Sequence, residues 1–210
     1  MVMPASFLVV LFYAIYLVVR NGVISYQKAS GLAMFSGIVI FCFYSFIRLK
    51  EMLPVEEYGY DAIFFILLIL CFAWGGDTCA YFAGRAFGKH KLCPVVSPKK
   101  TVEGAVGGVL GTMVFGVLVT VIYSIAADRM EEFTRSNIGV SMYVIIALLA
   151  CVAAVLGIYG DLFASVVKRQ CGIKDYGTIF PGHGGILDRF DSVMFIAPFV
   201  TMVIIAVFYR

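Results

Sequence analysis

The sequence has few charged residues. Only 14% of its 210 residues are Asp, Glu, Lys or Arg, and 62% are hydrophobic, whereas an ordinary soluble domain carries roughly 25% charged residues. A folded soluble chain of this length still exposes about a third of the surface that its unfolded form exposes, and covering that surface takes more charge than this chain has. The composition therefore argues strongly against a soluble globule, excludes a disordered chain, and predicts an integral membrane protein.

Other absences argue against several kinds of functional site. The six cysteines include no C-x-x-C pair and no cluster with histidine, so neither a zinc site nor a disulfide framework is indicated, and we interpret the cysteines as small apolar side chains. No candidate nucleophile of the Ser–His–Asp or Cys–His type is evident. The formal net charge of +3 is too small to indicate nucleic-acid binding, and we expect no nucleic-acid partner.

Six apolar stretches reach or approach the length of about 20 residues that a helix needs to cross a bilayer. The first stretch lacks the features of a signal peptide, since no Lys or Arg precedes it and no small-residue cleavage site follows. We therefore predict an all-α polytopic membrane protein of about six transmembrane helices, forming a single domain over residues 1–210. The predicted spans are Pro4–Val19, Gly31–Ile47, Ala62–Gly84, Glu103–Ala126, Gly139–Val167 and Phe190–Tyr209.

Lys and Arg alternate between the connecting segments as the positive-inside rule requires. Residues 85–100 hold five basic residues and no acid, and residues 168–189 hold four basic residues against two acids, whereas residues 48–61 and 128–136 carry an acidic excess. We therefore predict that the two basic segments lie in the cytoplasm and both chain ends outside it, although a re-entrant or broken helix would change the count. Both segments are polar and rich in Gly and Pro, which favours an active site on the cytoplasmic face.

The fourth span carries a face of small residues. Gly104, Gly107, Gly108 and Gly111 recur at spacings of three and four, so they share one side of a helix. We expect tight helix packing there, and the same face is a candidate for homodimer formation. No longer internal repeat is evident, so an inverted-repeat transporter gains no support.

Three polar residues near the end of the fifth span share a helix face. Asp161, Ser165 and Lys168 are spaced by four and three residues. An ionisable residue at the end of a span is a candidate for function. An ion pair of Asp161 with Lys168 or with a neighbouring helix is the structural alternative.

A glycine-rich turn, Gly182–Gly185, precedes two aspartates. Three glycines within four residues allow successive N–H groups to point at an anion, and a helix expected just after them would add its positive end. Asp188 and Asp191 are three residues apart, so both carboxylates face the same way, and a divalent cation such as Mg²⁺ would offset their repulsion. Helix capping would explain Asp188 but leaves Asp191 unexplained.

A third polar group extends from Trp74 to Gly104. Asp77 and Tyr81 share a helix face, and the basic residues after them suit either lipid head groups or the phosphates of a nucleotide. A positive-inside flank explains the basic residues nearest the third span. It explains Ser97–Gly104 less well, because we interpret its Pro-Lys-Lys sequence as a tight turn that leads straight into the next span.

Carboxylates, basic residues and a glycine-rich anion site together predict metal-assisted phosphoryl or nucleotidyl transfer. Residues 165–191, from Ser165-Val-Val-Lys168-Arg169 to Asp188-Arg189-Phe-Asp191, resemble the complete signature of the phosphatidate cytidylyltransferases (CDP-diacylglycerol synthases). Trp74–Gly104 also resembles that family, so that the motifs cover residues 74–191. A family member is expected to be longer at its N-terminus, and this chain is therefore either a short member or one without an initial segment.

The resemblance implies that CTP and phosphatidate react to give CDP-diacylglycerol and pyrophosphate in phospholipid biosynthesis. It implies Mg²⁺, alone or with a second metal ion, and a multi-pass enzyme in contact with membrane lipid at the cytoplasmic face of a bacterial cell membrane. It also favours a homodimer. It assigns metal binding to Asp161, Asp188 and Asp191; catalysis to these three with Lys168 and Arg189; substrate or phosphate binding to Lys99, Lys100, Ser165, Lys174, His183, Gly184 and Gly185; and site membership without a defined role to Asp77, Glu103 and Asp175.

Two alternatives stay open. A CTP-dependent polyprenol or lipid kinase would transfer a phosphoryl group in place of a cytidylyl group and would release CDP. A transporter would line its path with Asp77 and Asp161. The transporter is the weaker alternative, because the charges cluster toward one face and no repeat relates the two halves of the chain.

Overall fold

The computed structural model describes residues 11–16, 18–19, 26–129, 139–179 and 184–208. Apart from helical residues at 11–16 and 18–19, it contains seven helices and one pair of strands in these ranges. In chain order they are α1 (Tyr26–Met52), α2 (Val55–Tyr58), α3 (Asp61–Phe87), β1 (Lys91–Cys93), β2 (Ser97–Thr101), α4 (Val102–Arg129), α5 (Val140–Gln170), α6 (Leu187–Phe190) and α7 (Val193–Phe208).

Four of these helices, α1, α3, α4 and α5, are long and apolar enough to cross a bilayer, and α7 is a shorter apolar helix. The prediction of an all-α polytopic membrane protein is therefore confirmed. The second to fifth predicted spans coincide with the four long helices, and the sixth coincides with the 16 residues of α7. The first predicted span lies partly outside the described residues, although residues 11–16 and 18–19 are helical.

The chain divides into two compact units, residues 1–42 and 43–210. In the first unit, the hydroxyl oxygens of Tyr13 and Ser30 lie 3.3 Å apart. The second unit contains the apolar core and the polar site. The assignment of residues 1–210 to one domain stays a prediction.

The apolar core of the second unit forms where α3, α5 and α7 meet. Because lipid tails are as apolar as these side chains, the core stabilises the bundle mainly through close packing and not through exclusion of water. The side chains buried most completely in it include Phe65, Leu68 and Phe72 of α3, Ile146 of α5, and Ile196 and Val200 of α7.

α3 and α4 pack through small residues. A Cβ atom on Gly108 would lie 3.0 Å from the Ala80 Cβ, and one on Gly76 would lie 2.5 Å from the Thr112 Oγ1. The predicted packing role of the glycine face is therefore confirmed, but α3 of the same chain occupies that face, which leaves it unavailable to a second copy. The buried residues of this face repeat every four positions as Gly104, Gly108, Thr112, Gly116 and Thr120.

A short β-hairpin joins α3 to α4. Its strands are antiparallel, with Lys91 opposite Thr101 and Cys93 opposite Ser97. The prediction that Pro98, Lys99 and Lys100 form a tight turn is therefore wrong, because they lie on β2 and the turn precedes them. Proline is compatible with β2 because an edge strand does not need every N–H for pairing.

Candidate functional site

Lys168, near the end of α5, stands between two aspartates. Its Nζ lies 2.8 Å from Asp188 Oδ1 and 3.8 Å from Asp191 Oδ2, and its side chain is only 10% exposed. Asp188 and Asp191 therefore face the same way, as their spacing predicts. The Nζ also lies 5.2 Å from the centre of the Tyr176 ring, within range of a cation–π contact. Lys168 thus neutralises carboxylates of the chain itself.

The Asp188 carboxylate closes the glycine-rich loop. Its Oδ2 accepts the backbone N–H groups of Tyr176 at 2.7 Å and Gly185 at 2.9 Å. Burial opposes the ionisation of Asp188, but the hydrogen bond from Lys168 and the two N–H groups outweigh it and lower the pKa of Asp188. The Gly185 N–H, which was predicted to bind a phosphate, donates to the Asp188 carboxylate in this structure, and phosphate binding by Gly184 and Gly185 stays a prediction.

Two glycines are required for this loop conformation. Gly184 has a φ of +81°, a left-handed conformation that glycine adopts readily. A Cβ atom on Gly185 would lie 2.9 Å from the Gly177 nitrogen, so the two backbone segments could not approach with a larger residue there. The helix expected directly after the glycines consists of four residues, Leu187–Phe190, and α7 begins only at Val193.

Asp191 lies among like charges. Its Oδ1 accepts the backbone N–H of Ser192 at 2.9 Å. Burial, together with the negative charges of Asp161 and Asp77, raises the pKa of Asp191 to about 7, although Lys168 opposes the rise. Three aspartates, from α3, α5 and the turn before α7, therefore share one electrostatic environment.

Lys100 joins this cluster from the hairpin. It forms an ion pair with Asp161, and both side chains are 25% exposed. The Ser165 Oγ lies 3.4 Å from Asp161 Oδ1, so Ser165 also faces the cluster, as its spacing predicts. Lys99 is exposed, because successive side chains of a strand point to opposite faces. Of the two hairpin lysines assigned to phosphate binding, Lys100 is the one that the structure brings to the carboxylates.

α3 contributes a polar and aromatic wall. Asp77 Oδ2 accepts a hydrogen bond from Ser192 Oγ at 2.9 Å, and Trp74 Nε1 donates to the Arg189 carbonyl at 3.0 Å. The Trp74 ring meets the Phe190 ring edge-on, with 5.7 Å between centroids. Beside these contacts lies an open cleft of about 620 Å³, lined by Trp74, Asp77, Thr78, Ile186, Asp188, Arg189, Phe190 and Asp191.

The remaining predicted site residues lie elsewhere. The Glu103 carboxylate accepts the backbone N–H of Lys89 at 3.1 Å and that of His90 at 3.2 Å, and lies 2.6 Å from His90 Nδ1. Glu103 therefore attaches the hairpin to the start of α4. Lys174 and Asp175 are exposed residues of the segment after α5. His183 lies outside the described residues.

The donor set of the cluster is compatible with Mg²⁺, which prefers carboxylate oxygens. The repulsion that Asp77 and Asp161 exert on the buried Asp191 is the observation that favours a cation here. In the part of the chain that the structure describes, no three Asp, Glu, His or Cys side chains already form a group that could hold a metal ion. Asp161 and Asp188 pair with lysines instead, and the metal assignment stays a prediction.

Sequence reasoning overlooked Ser192 and gave Trp74 and Tyr176 no role. Ser192 directly precedes the apolar run of α7, and its carbonyl accepts the N–H groups of Phe195 and Ile196 at 3.4 Å. A serine in that position is a typical signature of a helix start, and this signal could have identified it. The contacts of Trp74 and Tyr176 depend on tertiary structure, and no local sequence pattern predicts them.

Comparison with known proteins gives consistent matches. Residues 1–207 match the model described as the cytidylyltransferase family. The chain is 32% identical to the phosphatidate cytidylyltransferase of Bacillus subtilis over 198 residues, which cover 94% of this chain and 66% of that protein. It is 40% identical to the enzyme of the same name from Staphylococcus saprophyticus over 147 residues, which cover 70% of this chain and 51% of that protein. The chain thus spans about half to two thirds of the length of these relatives.

Proposed function

Because this chain belongs to the cytidylyltransferase family, we propose that it transfers the cytidylyl group of CTP to phosphatidate, giving CDP-diacylglycerol and pyrophosphate in phospholipid biosynthesis. The observation that carries the proposal is the cluster of Asp77, Asp161 and Asp191 with Lys100 and Lys168 beside an open cleft. Such a cluster, at the ends of apolar helices, suits a reaction between a nucleotide and a lipid head group. The relatives named phosphatidate cytidylyltransferase support the choice of substrates.

The barrier to this reaction is mainly electrostatic. A phosphate oxygen of phosphatidate attacks the α-phosphorus of CTP in line, the bond from that phosphorus to the β-phosphate oxygen breaks, and pyrophosphate leaves. Both reactants are anions, so positioned positive groups lower the barrier by neutralising the charge that gathers around the α-phosphate. Lys100, partly exposed on β2, is suited to contact a phosphate directly. Arg189 lines the cleft and is a second positive group for the phosphates.

The buried charges have a supporting task. Lys168 holds Asp188 and Asp191 in one orientation, the Ser192 N–H fixes Asp191, and Lys100 pairs with Asp161. We assign Asp161, Asp188 and Asp191 to the binding of one or two Mg²⁺ ions. When bound, Mg²⁺ would supply further positive charge to the phosphates. Asp77, whose negative charge acts on Asp191, would add to the negative charge around such an ion.

The chain is a multi-pass membrane protein, and we propose that its site faces the cytoplasm of a bacterial cell. Residues 85–100 and residues 168–189 carry the basic excess that favours the cytoplasmic side. That side also supplies CTP, while phosphatidate presents its head group at the membrane surface. A homodimer is retained from the family resemblance alone, because α3 occupies the glycine face of α4.

The test is a labelling assay. The purified chain is incubated in detergent with phosphatidate, Mg²⁺ and CTP labelled at either the α- or the γ-phosphate. Cytidylyl transfer predicts that lipid acquires label from the α-position and none from the γ-position. Lipid labelled only from the γ-position would identify a CTP-dependent lipid kinase, and the absence of labelled lipid with any divalent metal would exclude cytidylyl transfer to phosphatidate.

A further inference from the structure

Two hydrogen bonds connect α3 to the chain on either side of Asp191. Trp74 Nε1 donates to the Arg189 carbonyl at 3.0 Å, and Ser192 Oγ donates to Asp77 Oδ2 at 2.9 Å. Trp74 and Asp77 are almost one helical turn apart, so they present their polar atoms from the same side of α3. The backbone before and after Asp191 is therefore attached to one face of one helix.

Packing supports the same attachment. The edge-on contact between Trp74 and Phe190 places an aromatic pair next to the first hydrogen bond. Ser192 is only 3% exposed, and its N–H donates to the Asp191 carboxylate. On α5, a Cβ atom at Gly160 would lie 2.7 Å from the Asp191 carbonyl oxygen, so α5 packs directly against this turn. Asp191 consequently has little freedom to move.

Core packing alone does not explain why a tryptophan occupies position 74. Its side chain is 46% exposed and lines the cleft, where water could satisfy the indole N–H equally well. A hydrogen bond of this kind contributes only modestly to stability, because folding exchanges one partner for another. What the bond to Arg189 does provide is a defined position for the carbonyl two residues before Asp191.

We propose that Trp74 and Ser192 are positioning residues that, with Asp77, clamp residues 189–192 to α3 and hold the Asp191 carboxylate beside Lys168. The inference rests on the proposed function in assigning Asp191 to catalysis, but the clamp itself is a property of the chain without substrate. The clamp acts through Asp191, so it affects the chemical step more than the binding of CTP.

The kinetic test uses two variants that each remove one polar group of the clamp. The Ser192 hydroxyl donates to Asp77 Oδ2 at 2.9 Å and also lies 3.5 Å from Asp191 Oδ1. Trp74→Phe retains an aromatic ring and loses the donor, and Ser192→Ala loses the hydroxyl. We expect each to lower kcat for cytidylyl transfer about threefold to tenfold with little change in the KM for CTP, the range for losing one hydrogen bond that matters in the transition state. Because both bonds hold one segment, the double variant should lose less than the product of the single effects.

Matched controls remove similar groups away from the cleft. Ser124→Ala deletes a serine hydroxyl that bonds within α4 and to Tyr143, and Tyr159→Phe deletes an exposed aromatic hydroxyl on α5. Both controls should retain wild-type kcat and KM. Size-exclusion profiles of all variants in the same detergent verify that the chains are folded.

A second readout needs no activity. Trp74 is the only tryptophan of the sequence, so the intrinsic tryptophan emission comes from this one member of the clamp. Ser192→Ala should release the segment that carries the Arg189 carbonyl, shifting the Trp74 emission to longer wavelength and making acrylamide quench it more strongly. Ser124→Ala should leave the spectrum unchanged.

Unchanged kcat in both single variants, or an unchanged Trp74 spectrum in Ser192→Ala, would overturn the clamp. If the wild-type chain does not catalyse cytidylyl transfer, the proposed function is wrong and the clamp is not affected. The emission spectrum still tests the clamp in that case, so the two failures can be distinguished.

Discussion

Asp188 and Asp191 are three residues apart and face the same lysine, but their surroundings differ. Asp188 accepts hydrogen bonds from Lys168 and two backbone N–H groups, which together lower its pKa. Asp191 accepts one backbone N–H, lies farther from Lys168, and is buried beside two other aspartates, which raises its pKa to about 7. Asp188 is therefore mainly an organiser of the loop, whereas Asp191 is the carboxylate held in an unfavourable environment.

This contrast predicts different consequences for the same substitution. Asp188→Asn should lower both turnover and the thermal unfolding temperature, with a loss of about 1–3 kcal/mol in the free energy of unfolding, because the buried Lys168 loses its nearest acceptor. Asp191→Asn should lower turnover by about 100-fold or more without lowering the unfolding temperature, since it removes a repelled charge. Turnover and thermal unfolding are measured in one detergent.

The control for this pair is Asp128→Asn, which changes an exposed carboxylate near the end of α4. It should alter neither quantity. Near-normal turnover of Asp191→Asn would remove that residue from the site, and equal stability of Asp188→Asn and the wild type would contradict its role in the loop.

Lys100 and Lys91 provide a second comparison of single residues. Both lie on the hairpin, but Lys100 pairs with Asp161 and Lys91 is exposed. Lys100→Gln should lower turnover by about 100-fold, because it removes a positive charge from the reacting phosphates and leaves Asp161 without its partner. Lys91→Gln removes the same charge from the same element and should stay near wild-type turnover. Similar losses in both variants would indicate that only the overall charge of the hairpin matters.

At the scale of elements, the hairpin is the part that sequence reasoning did not anticipate. The Pro-Lys-Lys sequence favours a turn locally, but strand pairing and the attachment through Glu103 determine the structure. The long helices were predictable because one property, the length of an apolar run, determines them. The hairpin depends on pairing between residues four and ten positions apart and on the contacts of Glu103 with residues 13 and 14 positions away, for which no local periodicity exists.

Glu103 should therefore act through the hairpin. Glu103→Gln weakens the acceptor for the N–H groups of Lys89 and His90, so trypsin should cleave within residues 89–100 faster than in the wild type. Turnover should fall as well, because Lys100 lies on the same hairpin. Glu51→Gln, which breaks an exposed ion pair with Arg48, should change neither property. Unchanged proteolysis in Glu103→Gln would contradict the attachment.

The contact between α3 and α4 predicts opposite effects for two glycine substitutions. Gly108→Ala should lower the free energy of unfolding by about 1–3 kcal/mol, because its Cβ would meet Ala80 and the Gly76 carbonyl. Gly37→Ala, in a helix position with open space around it, should be neutral or stabilise by up to about 1 kcal/mol. Thermal loss of helical circular dichroism measures both. A Gly108→Ala variant as stable as Gly37→Ala would contradict the close packing.

At the scale of the whole molecule, scarcity of charge was the most informative feature of the sequence. It predicted the membrane location, and the alternation of Lys and Arg predicted which segments could form a site. The motifs predicted that Asp161, Lys168, Asp188 and Asp191 belong to one site, and the structure places Lys168 beside Asp188 and Asp191 and brings the charge of Asp161 to bear on Asp191. They could not indicate the pairing, because it depends on where β2 meets α5: Lys100 contacts Asp161, and Lys168 contacts Asp188.

The same limitation applies to the residues that hold the cluster in place. Trp74 and Ser192 are 118 positions apart in sequence. Each forms a hydrogen bond between α3 and the turn that carries Asp191. Local patterns identify the residues that carry charge, whereas the residues that orient them become evident only from the folded chain. The membrane helices bring these distant segments to one end of the bundle.

The most direct measurement follows the cytidylyl group and the pyrophosphate of CTP in one reaction. CTP labelled in the cytosine ring and at the α-phosphate is incubated with phosphatidate, Mg²⁺ and either the wild-type chain or Asp191→Asn, and pyrophosphate is counted. For the wild type we expect both labels in lipid in equal amounts, with one pyrophosphate released for each labelled lipid, and for Asp191→Asn we expect almost none. Release of CDP, or equal rates for the two chains, would contradict cytidylyl transfer at this site.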